Sequence, residues 1–212
     1  MDSVRRTRQR MAPEDRQAQI VAVARNILID QGYGALTLRA VASGCQVSLA
    51  AVQHHYRDKA ELVKQLIESV IEEYDDRYEQ VMQSSQGDPV RRLREFLDFL
   101  ISHDIKSHRS AGFFYEMWNL AYRDPTIGDA MTRLYDLQLN RICDLMQEID
   151  PSADKRTALS RAGVVAAATD GLMLTMGASK NSELLRSNVS PTIMVDLLVS
   201  LATRTSGEHF PT

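Results

Sequence analysis

The spacing of apolar residues is the feature that most constrains the fold of this chain. In the first apolar segment, Ile20, Ala24 and Leu28 recur four residues apart, and Val23 and Ile27 fall on the same helical face. Comparable segments follow along the chain, separated by glycine, proline and Asp-Pro breaks. No stretch of alternating apolar and polar residues between turn signals competes as a strand. The sequence therefore predicts an all-α fold of about nine helices.

The composition is that of an ordinary globular chain, with 44% hydrophobic and 25% charged residues among 212. No apolar run approaches the roughly 20 residues of a membrane span, and the N-terminus lacks the apolar stretch of a secretory signal. We therefore expect a cytoplasmic protein without a membrane partner. Cys45 and Cys143 lie far apart and lack metal-ligand spacing, so we expect free thiols, no metal site and no cofactor.

Charge divides the chain into two parts of opposite sign. Residues 1–60 hold nine Lys and Arg against five Asp and Glu, a net charge of +4. Residues 61–212 hold sixteen against twenty-three, a net charge of -7. A basic head that approaches a polyanion and an acidic body that is repelled by it would show this pattern.

The basic head contains the spacing of a helix-turn-helix unit. Thr37 precedes a short apolar stretch that stops at Gly44, and Ser48 is placed to cap a second short helix running to about Tyr56. With a longer helix before them, these two helices match the unit that places its second helix in the major groove. The predicted partner is double-stranded DNA.

The outward face of this second helix follows from its buried face. Val52 and Tyr56 are four residues apart and must face the core. Gln53 can then form paired hydrogen bonds with adenine, the neighbouring alanines let the backbone approach phosphate or a thymine methyl, and the two histidines can donate to phosphate oxygens. The residues expected to point outward are Leu49, Ala50, Gln53 and His54.

A longer pattern, from Ile20 to Leu62, matches a known family. Its residues are Ala24, Gly32-Tyr33, Thr37, Val41-Ala42, Val47-Ser48, Tyr56, Lys59 and Leu62. In these features the segment resembles the DNA-binding domain of TetR-family transcriptional repressors. The resemblance implies a homodimer that binds a palindromic operator through three N-terminal helices, with phosphate contacts from Thr37 and Lys59. The full expected DNA-binding set is Thr37, Leu38, Arg39, Ser48, Ala50, Ala51, Gln53, His54, His55 and Lys59.

The chain departs from the family pattern at the turn and in the second short helix. Cys45-Gln46 stands where Ala-Gly is usual, so Gln46 should occupy a turn position normally given to glycine, at a cost of roughly 1 kcal/mol. Gln53 replaces a frequent tyrosine, and His55-Tyr56 replaces a common Tyr-Phe pair. These differences should alter phosphate contacts and sequence preference more than the fold.

The acidic body carries the candidate effector site, which the family resemblance places in a larger C-terminal domain. Five aromatics fall between Phe113 and Tyr122, in a chain that is only 6% aromatic, and could line a cavity for an apolar or aromatic small molecule. Met131 and Met176 would add adaptable walls. Alternatively, these aromatics pack in the core of the domain and leave no cavity. The expected ligand-binding residues are His103, Phe114, Met117, Trp118, Asn119, Tyr122, Tyr135, Asp170 and Met173.

Small residues from Ala162 to Thr169 permit close helix packing, and with the last helix they resemble the family's four-helix dimer interface. A buried helix within one chain is the alternative. The implied mechanism is that a bound effector favours a dimer geometry in which the recognition helices no longer match the grooves. The fourth helix, from Lys59 to about Ser84, would transmit this change.

The predicted organisation has three parts: a basic disordered arm at residues 1–12, the DNA-binding domain at 13–58, and the effector-binding and dimerisation domain at 59–212. The arm could enter a minor groove or serve as a solvated tail. The expected function is that of a sequence-specific repressor released by an effector. A helical lipid- or small-molecule-binding module without DNA binding is the alternative.

An enzyme is the other function class considered. The acidic residues Glu72, Glu73, Asp75, Asp76 and Glu79 could in principle hold magnesium. An exposed acidic face that is repelled by DNA explains the same residues. No nucleophile-base pair or phosphate-binding glycine loop is evident, so we do not expect catalysis.

Overall fold

The computed structural model describes residues 13–84, 87–106, 108–178, 183 and 190–203. This part of the chain contains nine helices and no strand, which confirms the predicted all-α class. The helices are α1 (Pro13–Gln31), α2 (Leu38–Gly44), α3 (Leu49–Gln53), α4 (Lys59–Ser84), α5 (Pro89–Lys106), α6 (His108–Ala121), α7 (Pro125–Ile149), α8 (Lys155–Ala178) and α9 (Pro191–Thr203). The predicted arm, residues 1–12, lies outside the described residues.

The chain divides into two compact units, one ending at Leu66 and the other beginning at Ile67. The division falls inside α4, so this helix begins in the first unit and ends in the second. The boundary expected from the sequence, after residue 58, lies about two helical turns earlier.

The core of the first unit is built on the apolar face of α1. Ile20, Ala24 and Leu28 have no solvent exposure, as their spacing predicts. The backbone of α2 comes close to this helix at Gly44, where an added Cβ would lie 2.6 Å from Cγ1 of Val23. Glycine at position 44 therefore permits the approach of α2 to α1. The other buried side chains of this unit are Ile27, Leu36, Val41, Ala42, Cys45, Val52, Tyr56, Leu62, Val63 and Leu66.

The second unit has a larger core, in which helices α5 to α9 pack on one another. Phe96 of α5 meets Tyr78 edge to face, with ring centroids 5.4 Å apart, and Phe113 of α6 is fully buried. Cys143 is buried here, as Cys45 is in the first unit, and both are free thiols. None of the described helices is long and apolar enough to cross a membrane.

Two of the acidic residues of α4 form ion pairs with an arginine of α7. The guanidinium of Arg141 lies 2.5 Å from Oδ1 of Asp75 and 3.6 Å from Oε1 of Glu79, and it stacks over the ring of Tyr78. Within the described part of the chain, no three His, Cys, Asp or Glu side chains are grouped so that they could hold a metal ion. An ion pair between helices thus accounts for two of the five acidic residues considered for magnesium.

Candidate nucleic-acid interface and ligand pocket

The turn between α2 and α3 is set by local hydrogen bonds. Oγ1 of Thr37 accepts a bond from the backbone N–H of Ala40 (3.0 Å) and caps α2. After α2 ends, Gln46 takes a φ of 56°, and it is the one non-glycine residue with positive φ in the described ranges. The sequence predicts this position, because Gln46 stands where the family pattern has glycine. Its backbone N–H bonds to Ser43 O and that of Val47 to Ala42 O, both at 3.0 Å, so the strained residue closes the turn.

The second short helix is capped and buried on one side. Oγ of Ser48 accepts a hydrogen bond from the N–H of Ala51 (3.2 Å). Val52 has no solvent exposure and Tyr56 has 3%. Together the cap and the buried pair orient α3, and burial of Val52 alone should contribute about 1.5–3 kcal/mol to folding.

The extent predicted for this helix was wrong at its C-terminal end. It was expected to reach about Tyr56, whereas α3 ends at Gln53. The carbonyl of Val52 accepts from the N–H groups of both His55 (3.0 Å) and Tyr56 (2.9 Å), and the three-residue bond to His55 tightens the turn that follows the helix. Asp58 then caps α4, since its Oδ1 accepts from the N–H of Glu61 at 2.9 Å.

The solvent-facing side of α3 carries small and polar side chains. Ala50, Gln53 and His54 are exposed, whereas Ala51 and His55 are half-buried. Leu49 is also half-buried. The His54 and His55 rings meet edge to face with centroids 5.5 Å apart. The structure thus brings the expected groove-facing residues onto one short, accessible surface.

The flanking residues expected to contact phosphate lie at helix starts. Thr37 and Arg39 are exposed at the N-terminus of α2, with Leu38 half-buried between them. Nζ of Lys59 donates to the carbonyl of Tyr33 and lies 3.3 Å from the centroid of the Tyr33 ring, which fixes its charge at the start of α4.

The carboxylate next to Lys59 remains ionised to lower pH than usual. The backbone N–H of Glu61 donates to Asp58, and this bond, with a further one from Arg57, holds the pKa of Asp58 below its ordinary value. Oε2 of Glu61 in turn accepts from the N–H of Arg57 at 2.7 Å, one residue before the cap. Asp58 and Glu61 thus form a variant of the capping box, in which the glutamate bonds to the residue before the cap.

This arrangement matches a known domain. Residues 20–66 match the family model described as bacterial regulatory proteins, tetR family. Residues 20–66 are thus similar to the N-terminal domain of that family. The HTH-type transcriptional repressor KstR2 of Mycolicibacterium smegmatis is 23% identical over 99 residues, which are 47% of this chain and 47% of KstR2. The chain thus matches about half the length of this curated relative.

Solved structures extend the likeness to the whole fold. A transcriptional regulator from Rhodococcus sp. Rha1 superposes with a TM-score of 0.70 at 22% identity, covering 88% of this chain and 93% of that one. The fatty acid degradation regulator FadR from Bacillus halodurans gives a TM-score of 0.68 at 13% identity, covering 95% and 100%. At these identities, the second unit shares their architecture, and its ligand must be argued from its own residues.

A pocket in the second unit brings together four of the residues expected to bind ligand. Phe114, Tyr135, Asp170 and Met173 line it. Trp118 stands beside them, because its Nε1 donates to the hydroxyl of Tyr135 at 2.6 Å. In this conformation the pocket has room for about one water molecule. Its remaining lining residues are Tyr74, Leu134, Gln138 and Thr169.

Burial changes the protonation of the one carboxyl group in this pocket lining. Desolvation raises the pKa of Asp170 to about 6, and a hydrogen bond from Tyr135 partly opposes the rise. Near neutral pH this side chain is therefore mostly ionised but close to its midpoint.

Other expected ligand residues lie elsewhere. Met117 is fully buried in the core, and Asn119 is exposed because it is one residue, or about 100° around α6, from Trp118. Tyr122 is 92% exposed, since α6 ends at Ala121. The side chain of His103 lies outside the described residues.

Sequence reasoning missed four lining residues. Gln138 had a usable signal, because it falls three residues after Tyr135 and so on the same side of α7. Tyr74 lies on α4, far in sequence from the aromatic segment of α6, and only helix packing brings it to the pocket. Thr169 adjoins Asp170 in sequence, and Leu134 had no signal that separates it from the core.

Proposed function

We propose that the chain is a homodimeric, sequence-specific transcriptional repressor that leaves a palindromic operator when a small molecule binds in the second unit. The observation that carries the proposal is the construction of α3. It is capped at Ser48, buried through Val52 and exposed at Gln53 and His54. A helix held in this way presents side chains to a major groove without needing to unfold or rotate.

Base recognition would centre on Gln53. Its carboxamide can accept and donate at once, which suits the N6 and N7 positions of adenine. Ala50 leaves space for a thymine methyl beside it. His54, exposed at the end of α3, is placed to donate to a phosphate or a base edge.

Phosphate contacts would fix the register of α3 on the duplex. Arg39 supplies an exposed charge near the start of α2, and Lys59 supplies a second charge whose position is set by Tyr33. The net charge of +4 over residues 1–60 favours approach to DNA, and the charge of -7 over the remainder disfavours contact by the body.

A dimer interface is supported by the exposed surface of α8 and α9. Val164 and Leu197 are 55% and 61% exposed, and Ser160 and Gly171 continue the face of α8 on which Val164 lies. Outside its own helix backbone, the described part of the chain places no atom within 4 Å of a Cβ added at Gly171, so this face has room for a second helix. The large apolar side chains that the described residues leave exposed are Tyr122, Leu159, Val164, Leu174, Ile193 and Leu197, and all but Tyr122 belong to α8 and α9.

Two copies are required by the geometry of the operator. Successive major grooves on one face of a duplex are about 34–36 Å apart, and a symmetric pair of recognition helices can span that distance. The isologous contact of such a dimer would place α8 and α9 against their own copies, giving a four-helix interface.

Release by an effector is supported by the position of α4. This helix carries Lys59 at its start and Tyr74 in the pocket lining. A ligand that fits the pocket in only one dimer geometry would shift the equilibrium by its difference in affinity, typically about 1–3 kcal/mol. The relative named as a repressor, KstR2, supports the sign of regulation proposed here.

The test is selection of binding sites from randomised duplex DNA by the full chain. We expect a palindromic sequence to be enriched and its affinity to fall steeply with salt. The double variant Gln53→Ala, His54→Ala should lose the sequence preference and keep non-specific binding. Gln83→Ala, an exposed glutamine on α4, is the matched control. Absence of any sequence preference at modest ionic strength would contradict the proposal.

A further inference from the structure

The pocket of the second unit sets one carboxyl group among aromatic and apolar side chains. Asp170 of α8 shares the space with Tyr74 of α4, Phe114 of α6 and Met173 of α8. The rings of Tyr74 and Phe114 meet edge to face, with centroids 6.3 Å apart. The two rings and the carboxylate thus line one small cavity, whose surface is part apolar and part polar.

Within the described residues, the negative charge of Asp170 is only partly compensated. Tyr135 donates a hydrogen bond to it. Among the side chains that the structure describes, no lysine, arginine or histidine forms an ion pair with Asp170. Arg141, the cation of the adjoining pocket, is already paired with Asp75 and Glu79. A carboxylate in this setting gains more from a bound cation than one in water would, because the surrounding dielectric constant is low.

We propose that this pocket binds an organic cation, with a protonated or quaternary ammonium at Asp170 and an apolar body against Tyr74, Phe114 and Met173. The proposal rests on the proposed function, in which the same pocket holds the effector. Aromatic faces attract an ammonium through their electron-rich surface, and this attraction strengthens when water is excluded. An anion of the same shape would be repelled, and a neutral ligand would bring no positive charge to the carboxylate.

The lining can adapt to such a ligand. In the described conformation there is room for about one water molecule, so a larger ligand must displace side chains. Met173 and Gln138 are long and unbranched, and methionine in particular changes rotamer at little cost. The adjoining pocket shares Tyr74, Leu134 and Gln138, so movement of Gln138 would join the two spaces and admit a longer apolar body.

The chain carries its own reporter for this test. Trp118 is its single tryptophan, and its indole is hydrogen-bonded to Tyr135 in the pocket lining. We would titrate the full chain, without DNA, with phenethylamine, phenethyl alcohol and phenylacetate at about pH 7.5 and follow tryptophan fluorescence. The amine should bind at least about tenfold more tightly than the alcohol, and the carboxylate most weakly.

A variant pair separates charge recognition from loss of the pocket. Asp170→Asn should reduce the affinity for phenethylamine to that for phenethyl alcohol, and its unchanged affinity for the alcohol would show that the pocket is intact. Asp129→Asn, at an exposed position of α7, should keep the preference for the amine. The proposal is overturned if the alcohol or carboxylate binds as tightly as the amine, if Asp170→Asn keeps the preference, or if none of the three compounds changes the fluorescence.

The same ligands distinguish this inference from the proposed function. If phenethylamine binds at Asp170 but leaves operator affinity unchanged, cation recognition stands and effector release fails. If the operator is released by a neutral or anionic compound that binds beside Trp118, effector release stands and cation recognition fails.

Discussion

The two units of the chain build their candidate sites in different ways. In the first unit, the accessible surface of α3 and its braces comes from about twenty consecutive residues, ordered by side-chain caps and two buried contacts. In the second unit, the pocket draws on four helices, with lining residues spread from Tyr74 to Met173. Local construction fixes the shape of the first site, whereas packing of distant helices determines the second. A substitution should therefore act locally in the first unit and on several helices at once in the second.

The largest expected effect is the loss of operator affinity when the proposed dimer cannot form. Gly171→Arg should prevent association of the α8 faces, because it adds a long charged side chain at a position that the described residues leave open. Operator affinity should then fall at least about a hundredfold, since a monomer loses the second half-site contact. Light scattering coupled to size-exclusion chromatography, with operator titration, measures both quantities.

Asn140→Arg, an exposed change on α7, is the control for added charge in the dimer experiment. If Gly171→Arg gives a monomer that binds the operator as tightly as the unchanged chain, DNA recognition would belong to the first unit alone.

The second effect concerns the carboxyl group of the pocket. The pKa of Asp170 is about 6 in the folded chain and about 3.9 in an unfolded one, so the folded state binds the proton more tightly. Protonation of Asp170 therefore adds to the free energy of unfolding. This contribution is fully present below about pH 4 and is lost as the pH rises through 6. Asp170→Asn should thus raise the free energy of unfolding by about 2 kcal/mol at pH 8 and change it little at pH 4. Urea unfolding at both pH values tests this, with Asp129→Asn as the control.

A third effect should remain within the first unit. Gly44→Ala places a methyl group against Val23 and should cost about 1–3 kcal/mol. Amide hydrogen exchange should accelerate in α1 and α2 while protection in α7 is unchanged. At Gly34 an added Cβ meets nothing within 4 Å, so Gly34→Ala is the matched control. Equal losses in both variants would contradict the packing argument.

The smallest expected effect is at the turn. Gln46→Gly should raise the free energy of unfolding by at most about 1 kcal/mol, because glycine adopts positive φ without strain. Gln46→Ala keeps a Cβ and should show no such gain. A gain in the alanine variant would mean that the glutamine side chain, not its backbone conformation, sets the cost.

The contrast between local construction in the first unit and helix packing in the second also explains which features the sequence could predict. Thr37 and Ser48 were identifiable as caps, and Val52 with Tyr56 as the buried pair, because each depends on neighbours within four residues. The early end of α3 at Gln53 was not predictable, since a tightened last turn has no distinctive residue pattern there. In the body, aromatic density pointed to Phe114 and Trp118. Which residues of other helices meet them depends on how the helices pack, and helical periodicity does not encode that arrangement.

The brevity of α3 limits how its specificity could be transferred to another protein. Five residues form too short a helix to persist as an isolated peptide, so the fragment alone would not read a duplex. Retargeting should instead keep Ser48, Val52 and Tyr56 and exchange the outward side chains at positions 50, 53 and 54. The same scaffold could then support different DNA specificities, each set by a few substitutions on the outward face of α3.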